Sequence, residues 1–130
     1  MTLSILVVDD DLNMRQLLDI HLRNVGYEVR TARDGIEAGY DVLRHRPDLI
    51  ITDVQMPHMD GFEFVGALRA DHSISAIPVV MLTSEADWED RGKASGADGY
   101  VTKPVRLDQL LSTIATQLAK REIRYISAKF

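Results

Sequence analysis

Cysteine is absent from the 130 residues, so a disulfide framework, a thiolate metal site and a cysteine nucleophile are all excluded. Long apolar runs are absent too. Nothing approaches the ~18 to 20 residues that a membrane span needs, and the start Met1-Thr2-Leu3-Ser4-Ile5 has no basic stretch of the kind that opens a secretory signal. A cytoplasmic protein without membrane contact is the expectation. Basic residues are outnumbered, 15 Lys and Arg against 20 Asp and Glu, for a net charge of −5. Affinity for nucleic acid rests mostly on Lys and Arg contacts to phosphates, so direct nucleic-acid binding is not expected. No internal repeat, low-complexity stretch or second domain stands out. At this length one domain is expected, long enough to bury a core on two faces of a sheet.

What the chain does have is a set of short apolar runs that alternate with helical spacing, the pattern of βαβ units around a buried parallel sheet. Ile5 to Val8 stops at Asp9, Asp10 and Asp11; a shorter run surrounds Val29; Leu49 to Thr52 stops at Asp53; Val79 to Leu82 stops at Thr83; Tyr100 to Thr102 stops at Lys103. Five helices are expected between and after these strands. Asp11 caps the first, with Met14, Leu17, Leu18 and Leu22 on one face and Gly26 at its end. The second follows Asp34 and carries Ile36, Gly39, Tyr40 and Leu43, closed by Pro47. Asp60-Gly61 opens the third, with Phe62, Val65 and Leu68 inward. The fourth, Ala86 to Ser95, is weak: Ala86, Trp88 and Ala94 flank Gly92 and Lys93, a poor helix former with a poor apolar face and therefore a candidate for movement. The last places Leu107, Leu110, Leu111, Ile114 and Leu118 at core spacing, and beyond Lys120 the stripe shifts through Ile123, Ile126 and Phe130. Residues 1–120 are expected to form the domain, and 121–130 a helical extension or linker.

If the runs are parallel strands, Asp9, Asp10, Asp53, Thr83 and Lys103 meet at the carboxyl edge of one sheet, where open α/β folds bind ligands. Carboxylates ~4 Å apart repel by ~1 kcal/mol even at the dielectric of water. A hard divalent cation accounts for their convergence, because Mg2+ favours oxygen ligands and is held by one or two carboxylates together with waters and phosphate oxygens. Taken alone, Asp9-Asp10-Asp11 is equally well read as a solvated, helix-capping loop. Coincidence with acidic, hydroxyl and basic groups at sister strand ends lowers that reading.

The stretches Ile5-Leu6-Val7-Val8-Asp9-Asp10, Asp48-Leu49-Ile50-Ile51-Thr52-Asp53-Val54-Gln55-Met56-Pro57 with Asp60-Gly61, Val80-Met81-Leu82-Thr83-Ser84, and Gly96-Ala97-Asp98-Gly99-Tyr100-Val101-Thr102-Lys103-Pro104 stand in order along the chain. Together they resemble the receiver domain of two-component response regulators, the CheY-like group, over Ser4 to about Ala119. The resemblance implies a five-stranded parallel sheet in the order 2-1-3-4-5, flanked by five helices in a flavodoxin-like arrangement. It further implies that Asp53 accepts a phosphoryl group from a phosphohistidine on a sensor histidine kinase or phosphotransfer protein. Mg2+, with Mn2+ as the alternative, would be bound by the side chains of Asp10 and Asp53, by Asp9 through a water, and by the backbone carbonyl of Gln55.

Also implied are Lys103 and Ser84 at the phosphoryl group, Thr83 moving toward it while Tyr100 turns inward, and loop geometry set by Pro57, Gly61 and Pro104 with a cis peptide at Lys103-Pro104. Gln55 and Glu85 fall at positions that tune the lifetime of the phosphoryl group. The surface of the fourth helix, fifth strand and fifth helix would then meet a downstream target protein or output domain. The charged set of symmetric receiver dimers is not evident, so a monomer or weak dimer is expected, and the protein is a phosphoacceptor that assists its own phosphorylation and dephosphorylation rather than an enzyme. Val105 replaces a frequent Phe, and Lys93 a frequent aliphatic residue.

Three rivals fit less well. A flavodoxin-like carrier of FMN needs hydroxyls and amides where Asp9 to Asp11 stand. A haloacid-dehalogenase-type phosphatase needs small turn residues after its first strand's Asp-x-Asp, and more chain. A degenerate receiver used only for protein binding would not keep every acceptor, metal and switch position filled. Trp88 is held as an output-face residue, and His21, His45, His58 and His72 share no spacing suited to metal or relay chemistry.

Overall fold

The computed structural model describes residues 2–129. Five strands, β1 (Ser4–Val8), β2 (Glu28–Ala32), β3 (Leu49–Asp53), β4 (Val79–Thr83) and β5 (Gly99–Thr102), form one parallel sheet in the order β2-β1-β3-β4-β5. The strand order reverses between β1 and β3, which opens a crevice at their carboxyl ends. Four helices are uniform: α1 (Leu12–Asn24), α2 (Gly35–Arg44), α3 (Gly61–Ala70) and α5 (Leu107–Lys129). Between β4 and β5, α4 is a composite of a first turn, Glu85–Asp87, a π turn, Trp88–Gly92, and a last turn, Lys93–Ser95.

Alternation along the strands sorts the core into two layers. Ile5, Val7, Leu49, Ile51, Val80, Leu82 and Val101 meet Leu18 and Leu22 of α1 and Leu110, Ile114 and Leu118 of α5. Leu6, Val8, Ile50, Val79 and Met81 meet Ala38 and Val42 of α2, Phe64, Val65 and Leu68 of α3, and Trp88 of α4. Burial on both faces is why the strands read as continuous apolar runs rather than alternating ones.

The helix starts follow capping chemistry. Asp11 accepts from the Asn13 N–H and Asp34 from the Glu37 N–H, while Asp60 and Glu63 form a reciprocal capping box on α3. After α1 the chain turns at Gly26, whose φ of +104° suits glycine, and its N–H donates to the Arg23 carbonyl.

The structure revises three of the sequence expectations. Leu17 is half exposed, because the α1 stripe that reaches the sheet runs through Leu18 and Leu22. On α2 the inward face is Gly35, Ala38 and Val42, and Ile36, Tyr40 and Leu43 point outward. Small residues let that helix sit close to the sheet, which hydropathy alone does not register. Trp88 is buried at 8 % exposure, so it is not an exposed output-face residue. The last helix continues without interruption to Lys129 with Ile123 and Ile126 exposed; Phe130 lies outside the described residues.

Candidate functional site: an acidic pocket at the carboxyl edge of the sheet

Register explains the gathering of side chains. Val8 pairs with Thr52, so the next residues, Asp9 and Asp53, lie side by side across the crevice. Thr83 pairs with Thr102, and the Lys103 N–H donates to the Thr83 carbonyl at 2.9 Å, which fixes the start of the β5–α5 loop. Asp9, Asp10 and Asp53 each offer a carboxylate oxygen, and these oxygens lie within 4.8 Å of one another. Asp9 and Asp53 are buried, at 3 % and 6 % exposure, and Asp10 is exposed.

Asp53 is held by one oxygen. Its Oδ1 accepts from the Val54 N–H at 2.8 Å and from Lys103 Nζ at 2.5 Å; among the described residues Oδ2 accepts no hydrogen bond. The Lys103-Pro104 peptide is cis. Burial pushes the Asp9 carboxyl up to about 6; the Asp11 N–H, donating at 2.9 Å, and the Lys103 charge oppose this, and the charges of Asp53 and Asp10 reinforce it. Three carboxylates against the single Lys103 ammonium leave the pocket with an excess of negative charge. An oxygen-preferring divalent cation fits this donor set.

The loop after β3 is folded tightly under the pocket. The Gly61 N–H donates to the Val54 carbonyl at 2.7 Å and the Met59 N–H to the Pro57 carbonyl at 2.8 Å, with His58 between them at a φ of 70°. A Cβ on Gly61 would stand 2.3 Å from the Asp53 carbonyl oxygen, so a hydrogen is all that fits there. Gln55 is exposed at the start of this loop.

Thr83 is buried, with its hydroxyl donating to the Ser84 carbonyl at 3.1 Å, and Ser84 caps α4 by accepting from the Asp87 N–H at 3.1 Å. Tyr100 lies on the same sheet face as Thr83, paired with Met81 and so two residues back in the register. Its hydroxyl donates to Glu85 Oε1 at 2.9 Å, a bond that holds the phenol's pKa above its ordinary value. Its ring stacks on Trp88, with centroids 4.3 Å apart and planes inclined by 17°.

Sequence reasoning missed these two Tyr100 contacts, and it also missed Arg91, which pairs with Asp60 at 3.1 Å and lies over the Phe62 ring at 4.3 Å. The only available signal was Gly92: a Cβ there would stand 2.3 Å from the Trp88 ring, so the glycine makes room for the indole.

A doubly wound parallel sheet with three carboxylates, a lysine and a hydroxyl at its carboxyl edge defines an α/β protein suited to a cation and a phosphoryl group. The family model for the response regulator receiver domain matches residues 5–115. Among curated relatives, the DNA-binding response regulator MtrA of Mycolicibacterium smegmatis is 40% identical over 120 residues, covering 91% of this chain and 51% of that protein. Among solved structures, the chemotaxis response regulator CheY4 of Vibrio cholerae is 42% identical with a TM-score of 0.83, covering 89% of this chain and 98% of that one. NtrX of Brucella abortus is 27% identical with a TM-score of 0.89, covering 99% of this chain and 29% of that one. The chain belongs to the response regulator receiver domain family: it is a phosphoacceptor signalling switch of two-component systems and not a classical enzyme. It spans about half the length of the curated relatives it matches. Among the described residues no helix is long and apolar enough to cross a membrane.

Proposed function

We propose that Asp53 is the phosphoacceptor, taking its phosphoryl group from a phosphohistidine on a sensor histidine kinase or phosphotransfer protein. One carboxylate oxygen of Asp53 attacks phosphorus, the bond from phosphorus to the imidazole nitrogen breaks, and the electron pair leaves with the imidazole. The observation that carries this reading is a buried carboxylate at the end of β3 whose Oδ1 lies 2.5 Å from Lys103 Nζ, with Asp9 and Asp10 beside it. Phosphoryl transfer is catalysed chiefly by placement and charge, since the transition state is loose and spreads negative charge over the equatorial oxygens. Lys103 meets that charge on one side. Asp9, Asp10 and Asp53, with the Gln55 carbonyl, would hold Mg2+ or Mn2+, whose positive charge supplies the same service on the other.

Ser84 and Thr83 stand at the end of β4, where their hydroxyls can donate to phosphoryl oxygens. Once Thr83 is drawn to the phosphoryl group, Tyr100 turns inward and gives up Glu85 and Trp88. The α4–β5–α5 surface changes with it, and a target protein or output domain reads the difference in affinity between the two states. Water attacking the aspartyl phosphate resets the switch. Gln55 and Glu85, exposed at this edge, tune that step. Residues 1–120 are the receiver and 121–130 an extension toward such a partner; the setting is cytoplasmic.

Intact mass after incubation with Mg2+ and acetyl phosphate tests the reading. One added phosphoryl group is expected, absent in Asp53→Asn and after chelation with EDTA. No gain in mass together with no binding of beryllofluoride would overturn it in favour of a phosphorylation-independent binding module.

A further inference from the structure

The outward face of α2 is apolar where a solvated helix should be polar. Ile36, Tyr40 and Leu43 repeat at helical spacing and are 48 %, 65 % and 64 % exposed. Beside them runs a groove of about 300 Å3 between α2 and α3, walled by Gly39, Met59, Phe64 and Ile74. Gly39 has nothing within 4 Å of where its Cβ would be, so the groove is open at the middle of the stripe. An apolar stripe of this kind marks a contact surface.

We infer that this face pairs with the same face of a second copy of the chain, the two α2 helices antiparallel and each Tyr40 seated in the other copy's groove over Gly39. The occupant is set by charge as well as shape. α2 is acidic in its first turn, at Glu37, and basic in its last, at Arg44. The two residues are about two helical turns apart on one side of the helix, with their midpoint between Tyr40 and Asp41. A two-fold axis near Tyr40 therefore sets Glu37 of each copy beside Arg44 of the other, as an isologous interface requires. Antiparallel helices also bring the positive end of each dipole to the negative end of its neighbour. Glu37 pairs within its own copy with Arg33 at 3.1 Å, but both are exposed, and surface pairs at such spacing are weak enough to exchange. Asp71, exposed on the groove wall, offers the incoming phenol an acceptor.

Of the groove residues Met59 lies on the loop beneath the acidic pocket, without contributing a carboxylate to it, and none lies on α4 or β5. The pairing is therefore independent of phosphorylation and leaves Asp53 open in both copies.

Sedimentation velocity on the full chain, from micromolar to submillimolar concentration and with or without beryllofluoride and Mg2+, tests the proposal. A reversible dimer is expected, equally strong in both conditions. Tyr40→Glu should weaken it by about thirtyfold or more, the size of losing an aromatic anchor. Glu37→Arg and Arg44→Glu should each weaken it, and the double variant should restore it, with circular dichroism confirming that all variants fold. A monomer at every concentration overturns the proposal. So does a dimer indifferent to Tyr40→Glu, a double variant that fails to recover, or a dimer that forms only with beryllofluoride, which would place the contact on the switch surface.

Discussion

Gly61 and Gly66 lie on the same helix and carry opposite expectations. At Gly61 an added Cβ meets backbone, the Asp53 carbonyl oxygen at 2.3 Å and Val54 Cα at 3.0 Å, and backbone does not rotate away as a side chain does. Gly61→Ala is expected to cost ~1–3 kcal/mol, as overpacking does, and to displace Asp53 from Lys103. At Gly66 nothing lies within 4 Å, so Gly66→Ala is expected to stabilise by ~0.5–1 kcal/mol through helix propensity and a less flexible unfolded chain. Urea unfolding of the two variants measures both, and equal effects would refute the distinction. The convergence of Asp9, Asp10, Asp53, Thr83 and Lys103 was legible from the sequence because apolar runs mark where strands end, and parallel strands end at one edge. The finer contacts were not. Which Asp53 oxygen takes the Val54 and Lys103 donors, and that Tyr100 reaches Glu85, depend on side-chain torsions and loop paths that carry no periodic signal.

At the scale of elements, α2 and α4 show where pattern reading succeeds and where it stops. Both were legible as helices, but hydropathy chose the wrong face of α2, since Gly35 and Ala38 are buried for their small size and not for their hydrophobicity. α4 was legible as a weak helix, and the structure gives the weakness a form: a π turn from Trp88 to Gly92 in which only those two residues are buried. The indole packs closely on Gly92 and stacks on the Tyr100 ring. Gly92→Ala must push the ring aside, because the new Cβ would stand 2.3 Å from the indole. The expected outcome is a loss of ~1–3 kcal/mol together with a red-shifted emission, as the indole moves toward water. Trp88 is the only tryptophan, so fluorescence reads this site alone. An unchanged spectrum in a folded variant would show that the stack does not depend on the glycine.

Across the whole molecule, the two ends of the sheet carry opposite electrostatic problems. At the carboxyl edge acidic groups crowd together; at the other end Asp48 is satisfied on every side. Its Oδ2 accepts from the Ser4 N–H at 2.7 Å and its Oδ1 from Arg121 at 2.6 Å, which ties β1, β3 and α5 together. Burial alone would raise the Asp48 carboxyl, but the Ser4 and Arg121 donors outweigh it and hold the carboxyl below its ordinary range. A depressed folded pKa gives stability that is fully present above the ordinary carboxylate pKa, near 4, and fades as pH falls through the folded value. Asp48→Asn is therefore expected to lose ~1 kcal/mol at neutral pH, a charged hydrogen bond discounted for partial exposure, with the gap constant down to about pH 5 and closing below about pH 4. Mg2+ should act at the other end, raising Tm by binding the folded state, and Asp10→Asn should abolish that rise. Five-residue strands separate the two ends by ~16 Å, a distance at which effects add to within ~0.5 kcal/mol. The Mg2+ shift in Asp48→Asn should then equal that in the unaltered protein. A smaller shift would mean that the base of the sheet and the acidic pocket are energetically coupled, and that tightening α5 against β3 helps to set the geometry around Asp53.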